Sequence, residues 1–341
     1  MGHAQPVSGE RLAALPKVEL HLHLEGTISP AHAVALARRH DLDPAVALPL
    51  EQGRYPRRYR GFEHFLETFL AVSALVRTPE DLHGVAAALA ADRRHQGIAY
   101  SEVTFTAATH VRAGMDPAAM WEALRTGLAT VPEARIGLIV DVVRDDGAAG
   151  VEETVALVED ADAPVVGLGL SGTEGVAPER TFGLLRTAAD RLGLGLTVHA
   201  GETGPAEQVR AALRELDADR IGHGIAAAND PALLAELADA GVPLEVCPSS
   251  NLALGLVETL ATHPLPHLRD AGVTVVISSD DPPFFGTTLV DELQRALELL
   301  TGDEDVLADL QVAAARAAFA PAAVRAELEA AVEAWRVSPG G

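Results

Sequence analysis

Lysine and cysteine each occur once in this 341-residue chain, and each scarcity closes off a class of chemistry. Twenty-five of the 26 basic residues are arginine, and Lys17 is the only lysine. A phosphate-cradling Lys after a Gly-rich loop, a lysine Schiff base, or a lysine bridging two metals would have to fall on Lys17. That residue stands before the first predicted strand, a poor place for all three. Cys247 alone excludes an intrachain disulfide and a cysteine-based zinc cluster, and fits a reducing cytoplasm. It follows an apolar strand with no base apparent beside it, as a small core residue does.

Positive charge is also short. Lys and Arg number 26 against 49 Asp and Glu, a net charge of −23, which argues against a nucleic-acid backbone or an anionic membrane as partner. Aromatics make up 4% of the chain while hydrophobic residues make up 48%, so the core is built from Ala, Leu and Val. No apolar run reaches the roughly 20 residues of a membrane-spanning helix. The first seventeen residues carry no apolar signal core, and Pro6 stands where a myristoylation motif has Ser or Thr. A soluble cytoplasmic protein acting on a small molecule is the expectation.

Short β-branched, apolar runs recur along the chain, each followed by a helical pattern. They are 18–22, 97–105, 135–143, 165–170, 194–199, 220–222, 243–246 and 273–277. From the second onward they are spaced as a strand plus a crossover helix. The segment 229–241 has a helix's punctuation: Asp230 to cap, Pro231 at the first position, a stripe of Leu233, Leu234 and Leu237, and Gly241 to end it. Eight such units predict an α/β fold, a (β/α)8 TIM barrel in a single domain spanning 1–341. Residues 29–96, between strands one and two, are too many for one crossover and predict an insertion of extra helices, a candidate lid. After Gly286 the chain reads as a helical C-terminal segment.

In such a barrel the active site lies at the carboxyl ends of the strands. His21 and His23 end the first run, one residue apart, which places both on one face of a strand about 7 Å apart along it. With 13 histidines in the chain, about 0.5 such pairs arise by chance, so the pair needs corroboration. It comes from the other strand ends, Val198-His-Ala-Gly-Glu202, Gly222-His-Gly224, Cys247-Pro-Ser-Ser-Asn251 and Ser278-Ser-Asp-Asp-Pro282. His21, His23 and His199 with one of Asp280 and Asp281 could hold zinc and leave a place for water, whose pKa a zinc ion lowers to about 7. Glu202 is placed to donate a proton to a nitrogen, and His223 to orient or deprotonate the water.

The ordered set Pro16-Lys-Val-Glu-Leu-His-Leu-His-Leu-Glu-Gly26, His199-Ala-Gly-Glu202, Arg220-Ile-Gly-His-Gly224, Cys247-Pro-Ser-Ser-Asn251 and Ser279-Asp-Asp-Pro282 resembles the adenosine deaminase family of the amidohydrolase superfamily, from about Leu15 to Glu292. The resemblance implies a zinc-dependent aminohydrolase that acts on a C–N bond and removes the 6-amino group of a purine. By motif it assigns His21, His23, His199 and Asp280 to one zinc ion per chain, and Glu202 to protonation of purine N1. It assigns His223 and Asp280 to positioning the hydroxide, Asp281 to N7, and the backbone of Gly172 to N3.

Two departures bear on the substrate. Glu25, expected at the ribose, stands where adenosine-specific members usually have Asp, and Thr104 where many have Arg. The run Asp280-Asp-Pro-Pro-Phe-Phe-Gly-Thr-Thr288 in turn resembles bacterial nucleoside-type members. The sequence therefore leads to an adenosine-like nucleoside, adenosine or aminodeoxyfutalosine, with free adenine as the alternative. A binuclear metallohydrolase of the same superfamily is less favoured, because the fourth strand lacks the lysine that commonly bridges two metals there.

Overall fold

All eight apolar runs become parallel strands in the computed structural model, which describes residues 7–338. Pro6, used above to argue against lipidation, lies outside the described residues. The strands are β1 (Lys17–Glu19), β2 (Ile98–Phe105), β3 (Ile136–Val143), β4 (Val165–Ser171), β5 (Gly195–Ala200), β6 (Arg220–His223), β7 (Leu244–Val246) and β8 (Val275–Ile277), and they pair in sequence order. With helices in the crossovers this is the expected (β/α)8 barrel. The seam between β8 and β1 is closed by a single bridge, Leu22 to Asp280, rather than by a ladder.

The first strand is shorter than read from sequence. It begins at Lys17 and ends at Glu19, so His21 and His23 stand just beyond it and Lys17 lies inside it. Lys17 is wholly buried, its ammonium donating to the carbonyls of Leu12, Ala13 and Leu15 at 3.0–3.2 Å. Burial draws its pKa down to about 8, and those three acceptors hold the only lysine away from the strand ends.

The crossovers follow local chemistry. Asp230 caps the helix Pro231–Ala240 by accepting from the amides of Ala232 and Leu233 at 3.0 Å, and Gly241 ends it at φ +66°. The insertion contains the helices Pro30–Arg39, Pro44–Ala47, Phe62–Ser73 and Pro79–His95. Its arginine-rich loop is pinned by its tyrosines: Tyr55 is buried, donates to the Ile28 carbonyl at 3.0 Å and stacks on Phe284, while Arg54, Arg57, Arg58 and Arg60 face solvent. The helices Leu289–Leu299, Glu304–Ala317 and Ala322–Val337 make up the C-terminal segment. Among the described residues no helix is long and apolar enough to cross a membrane.

Candidate active site

The strand ends bring four imidazoles together. The His21 ring centroid lies 5.5 Å from that of His23, 4.5 Å from His199 and 4.7 Å from His223. Asp280 faces them: its Oδ1 is 3.5 Å from His21 Nε2 and 3.4 Å from His23 Nε2, and its Oδ2 is 3.9 Å from His223 Nε2. His223 Nε2 is also 3.7 Å from Glu202 Oε1. Asp280 and His223 adopt left-handed backbone, φ +62° and +58°, a strained conformation for non-glycine residues that is concentrated at functional sites.

The group fits a cation. His21 Nδ1 is bonded to Glu245 Oε2 at 2.7 Å, which fixes the ring and leaves His21 Nε2 buried without a hydrogen-bond partner. One ligand atom from each of His21, His199 and His223 lies within 4.8 Å of the others, as does one from each of Glu202, His223 and Asp280. Burial works against charge on His21, yet Asp280 and Glu245 together hold its pKa up, to about 10. A cation between His21 and Asp280 would take the place of that proton. Burial keeps His199 neutral, well below its usual range, as a nitrogen ligand requires. The residues could therefore hold a metal.

The carboxyl groups of the cleft are split between charged and neutral forms. Burial would raise Asp280, but the contact with His21 and the surrounding imidazoles hold it well below the usual carboxylate range. Burial, then the charges of Asp280 and Glu174, push Glu202 well above its usual range, and burial with Asp280 beside it does the same to Asp281. Burial thus favours the protonated, hydrogen-bond-donating form of two carboxyl groups next to one that is held ionised. Burial lowers His223 to about 3 against the pull of Asp280, so its imidazole is neutral. Asp281 Oδ1 is buried without a partner, and Gly26 makes room for it: a Cβ on residue 26 would come 1.7 Å from that oxygen.

The cleft encloses about 850 Å3 counted out to its open mouth, solvent space included. The expected site residues His23, Glu25, Gly172, His199, Glu202, His223, Asp280 and Asp281 line it, with His21 at the floor beneath Asp280. The opposite wall is apolar and comes from the insertion: Phe62, Phe65, Leu66, Phe69 and Leu70 of the helix Phe62–Ser73. Thr104 does not line the cleft; its backbone instead bonds Leu22 and Leu24, and Thr106 and Thr109 take the wall position.

Two neighbours went unread in the sequence. His110, to which no sequence motif gives a role, is buried in the cleft wall with Nε2 2.9 Å from Glu25 Oε1, while Glu25 Oε2 has no partner. Glu245 carries no motif; its only signal is a charge inside the apolar strand Leu244-Glu-Val246.

A family model described as adenosine deaminase matches residues 16–335. The chain belongs to the adenosine deaminase family. It is 39% identical to an aminodeoxyfutalosine deaminase of Streptomyces avermitilis, across 95% of this chain and 92% of that protein. It is 38% identical to an adenine deaminase of Chelativorans sp., across 92% and 97%. The crystal structure of an adenine deaminase from Arthrobacter aurescens superposes with a TM-score of 0.84 at 30% identity, covering 94% of this chain and 99% of that one. The family, its barrel and a hydrolase acting on C–N bonds thus agree with what the strand-end motifs imply.

Proposed function

We propose that the chain is one hydrolase domain that removes the 6-amino group of an adenosine-like nucleoside, releasing the 6-oxopurine and ammonia. The observation that carries this is the convergence of two buried carboxyl groups, Glu202 and Asp281, with Asp280 and a cluster of imidazoles in one cleft. A purine ring offers acceptors at N1, N3 and N7. Protonated Glu202 donates to N1, which makes C6 electrophilic; the backbone N–H of Gly172 meets N3; protonated Asp281 donates to N7. Burial of Asp281 without a partner for Oδ1 supports that contact.

His21, His23, His199 and Asp280 are the residues assigned to hold one zinc ion. Zinc supplies Lewis acidity that makes water nucleophilic at neutral pH. Neutral His223 accepts the proton of the attacking water through Nε2, and ionised Asp280 holds the water's orientation. The apolar wall of Phe62, Phe65 and Phe69 excludes bulk water and covers the side on which an N9 substituent lies. We place the reaction in the cytoplasm, a setting with which the unpaired, buried Cys247 agrees.

Free adenine is the second reading, favoured by Glu25 in the Leu-Glu-Gly motif and by the name of the Chelativorans relative. Ammonia release with adenosine, aminodeoxyfutalosine and adenine separates the two. Turnover of a nucleoside is expected, and turnover of adenine alone would overturn the nucleoside reading. Elemental analysis of the purified protein is expected to give one zinc per chain; two metals per chain would revive the binuclear alternative.

A further inference from the structure

The loop bearing Glu202 is held by a residue that makes no contact with the imidazole cluster. Four consecutive amides turn toward one carboxylate: Gly201 N–H donates to Glu174 Oε2 at 2.6 Å, and those of Glu202, Thr203 and Gly204 donate to Oε1 at 2.9, 2.8 and 3.2 Å. The Thr203 hydroxyl adds a fifth contact at 3.3 Å. Successive amides curled around one anion form a nest, and each would lose a charge-assisted bond if the anion went. Gln208, on the helix Ala206–Leu216, adds to the nest when its amide is turned to place nitrogen toward the carboxylate: it then donates to Glu174 Oε2 at 2.5 Å and accepts the Gly175 N–H at 2.9 Å. The curl also depends on Gly201, at φ +70°, where a Cβ would come 2.4 Å from Val209.

Glu174 lies two residues after Gly172 in the loop that follows β4, whereas its partners follow β5. One carboxylate therefore fastens together the two loops proposed to meet N1 and N3, the nitrogens that flank C2 of the purine. We propose that Glu174 is a positioning residue: its carboxylate gathers the amides of residues 201–204 and so aims Glu202 into the cleft, in register with Gly172. The proposal rests on the deaminase reading for its catalytic consequence but not for the loop contact itself.

Two measurements on the full chain test it. Amide hydrogen exchange in Glu174→Ala is expected to speed up at residues 201–204 while the melting temperature changes little. Glu174→Gln, whose oxygen can keep the three amides on Oε1, is expected to retain most of the protection, and it serves if the alanine variant does not fold. Unchanged exchange at residues 201–204 would overturn the proposal whatever the kinetics. With adenosine or adenine, Glu174→Ala is expected to lower kcat/KM about 100-fold, and Glu174→Gln less. In a Glu202→Gln background the Glu174→Ala change is expected to cost nothing further, because its effect runs through Glu202. A loss that multiplies undiminished in that background would make Glu174 merely structural. Full turnover by Glu202→Gln would instead sink the proposed proton donor, leaving the exchange measurement to decide the loop contact.

Discussion

In the lower half of the barrel interior, Arg220 lies between two buried carboxylates, 2.6 Å from Glu102 Oε2 and 2.6 Å from Glu245 Oε1. The Tyr100 hydroxyl and the Phe319 amide complete Glu102 at 3.1 and 2.6 Å, and the Phe319 ring lies 3.6 Å from the Arg220 guanidinium. At the upper end the buried polar atoms are left open: His21 Nε2, His199 Nδ1, His223 Nδ1, Asp281 Oδ1 and Glu25 Oε2 have no partner. Both halves place charged groups in a dry interior, where an unpaired one is costly. The lower half pairs its charges with one another and serves the fold; the upper half leaves more of its groups open, as the proposed metal and substrate would require. Glu245 belongs to both, with one oxygen on Arg220 and the other on His21.

The largest effect is expected at the cleft carboxyl proposed to do chemistry. Glu202→Gln should lower kcat/KM by about 100- to 10,000-fold without loss of fold. Stability should move the other way. The folded-state pKa of Glu202 is raised, so the native protein loses stability as pH climbs from the ordinary glutamate range toward that value, a loss that glutamine does not share. Thermal melts at pH 8 should therefore show the variant no less stable than the parent, and a clear drop would place Glu202 among the structural charges.

Arg220→Met breaks the satisfied half. It strands Glu102 and Glu245 without their cation and should cost about 3–5 kcal/mol in urea unfolding. An unchanged midpoint would erase the distinction between the halves. Glu245→Gln probes the residue they share: metal affinity, measured by competition with a chelator, should weaken about 10- to 100-fold as His21 loses its orienting carboxylate. The gentlest test is a pH profile. With neutral Glu202 as the proposed donor, kcat/KM should fall as pH rises through its folded pKa; a rate that rises there would require the opposite protonation state.

Much of this was legible in the residues. Eight apolar runs at crossover spacing gave eight strands, with most boundaries within one or two positions, because parallel strands buried on both faces must read as continuous apolar runs. His21 and His23 were placed by the alternation of a strand that stops at Glu19, yet they still converge, since Leu22 to Asp280 and His23 to Thr104 keep bridge pairing past its end. Glu174, Glu245 and His110 were not legible. Their roles depend on contacts 27–30, 224 and 85 residues away in sequence, and the one local signal, a charge inside the apolar run at Glu245, does not say which partner it meets.

The seam of the barrel gives the site a further property. Asp280 joins the last strand to the first through its backbone, donating to the His21 carbonyl at 3.1 Å and accepting from the His23 amide at 3.2 Å, while its side chain faces the same two histidines. Three of the four residues proposed to grip the metal, His21, His23 and Asp280, are therefore the clasp that shuts the ring, and they come from opposite ends of a 260-residue stretch of chain. Such a clasp exists only while the eighth strand lies against the first, so opening the seam of the barrel and dismantling this part of the site are one event.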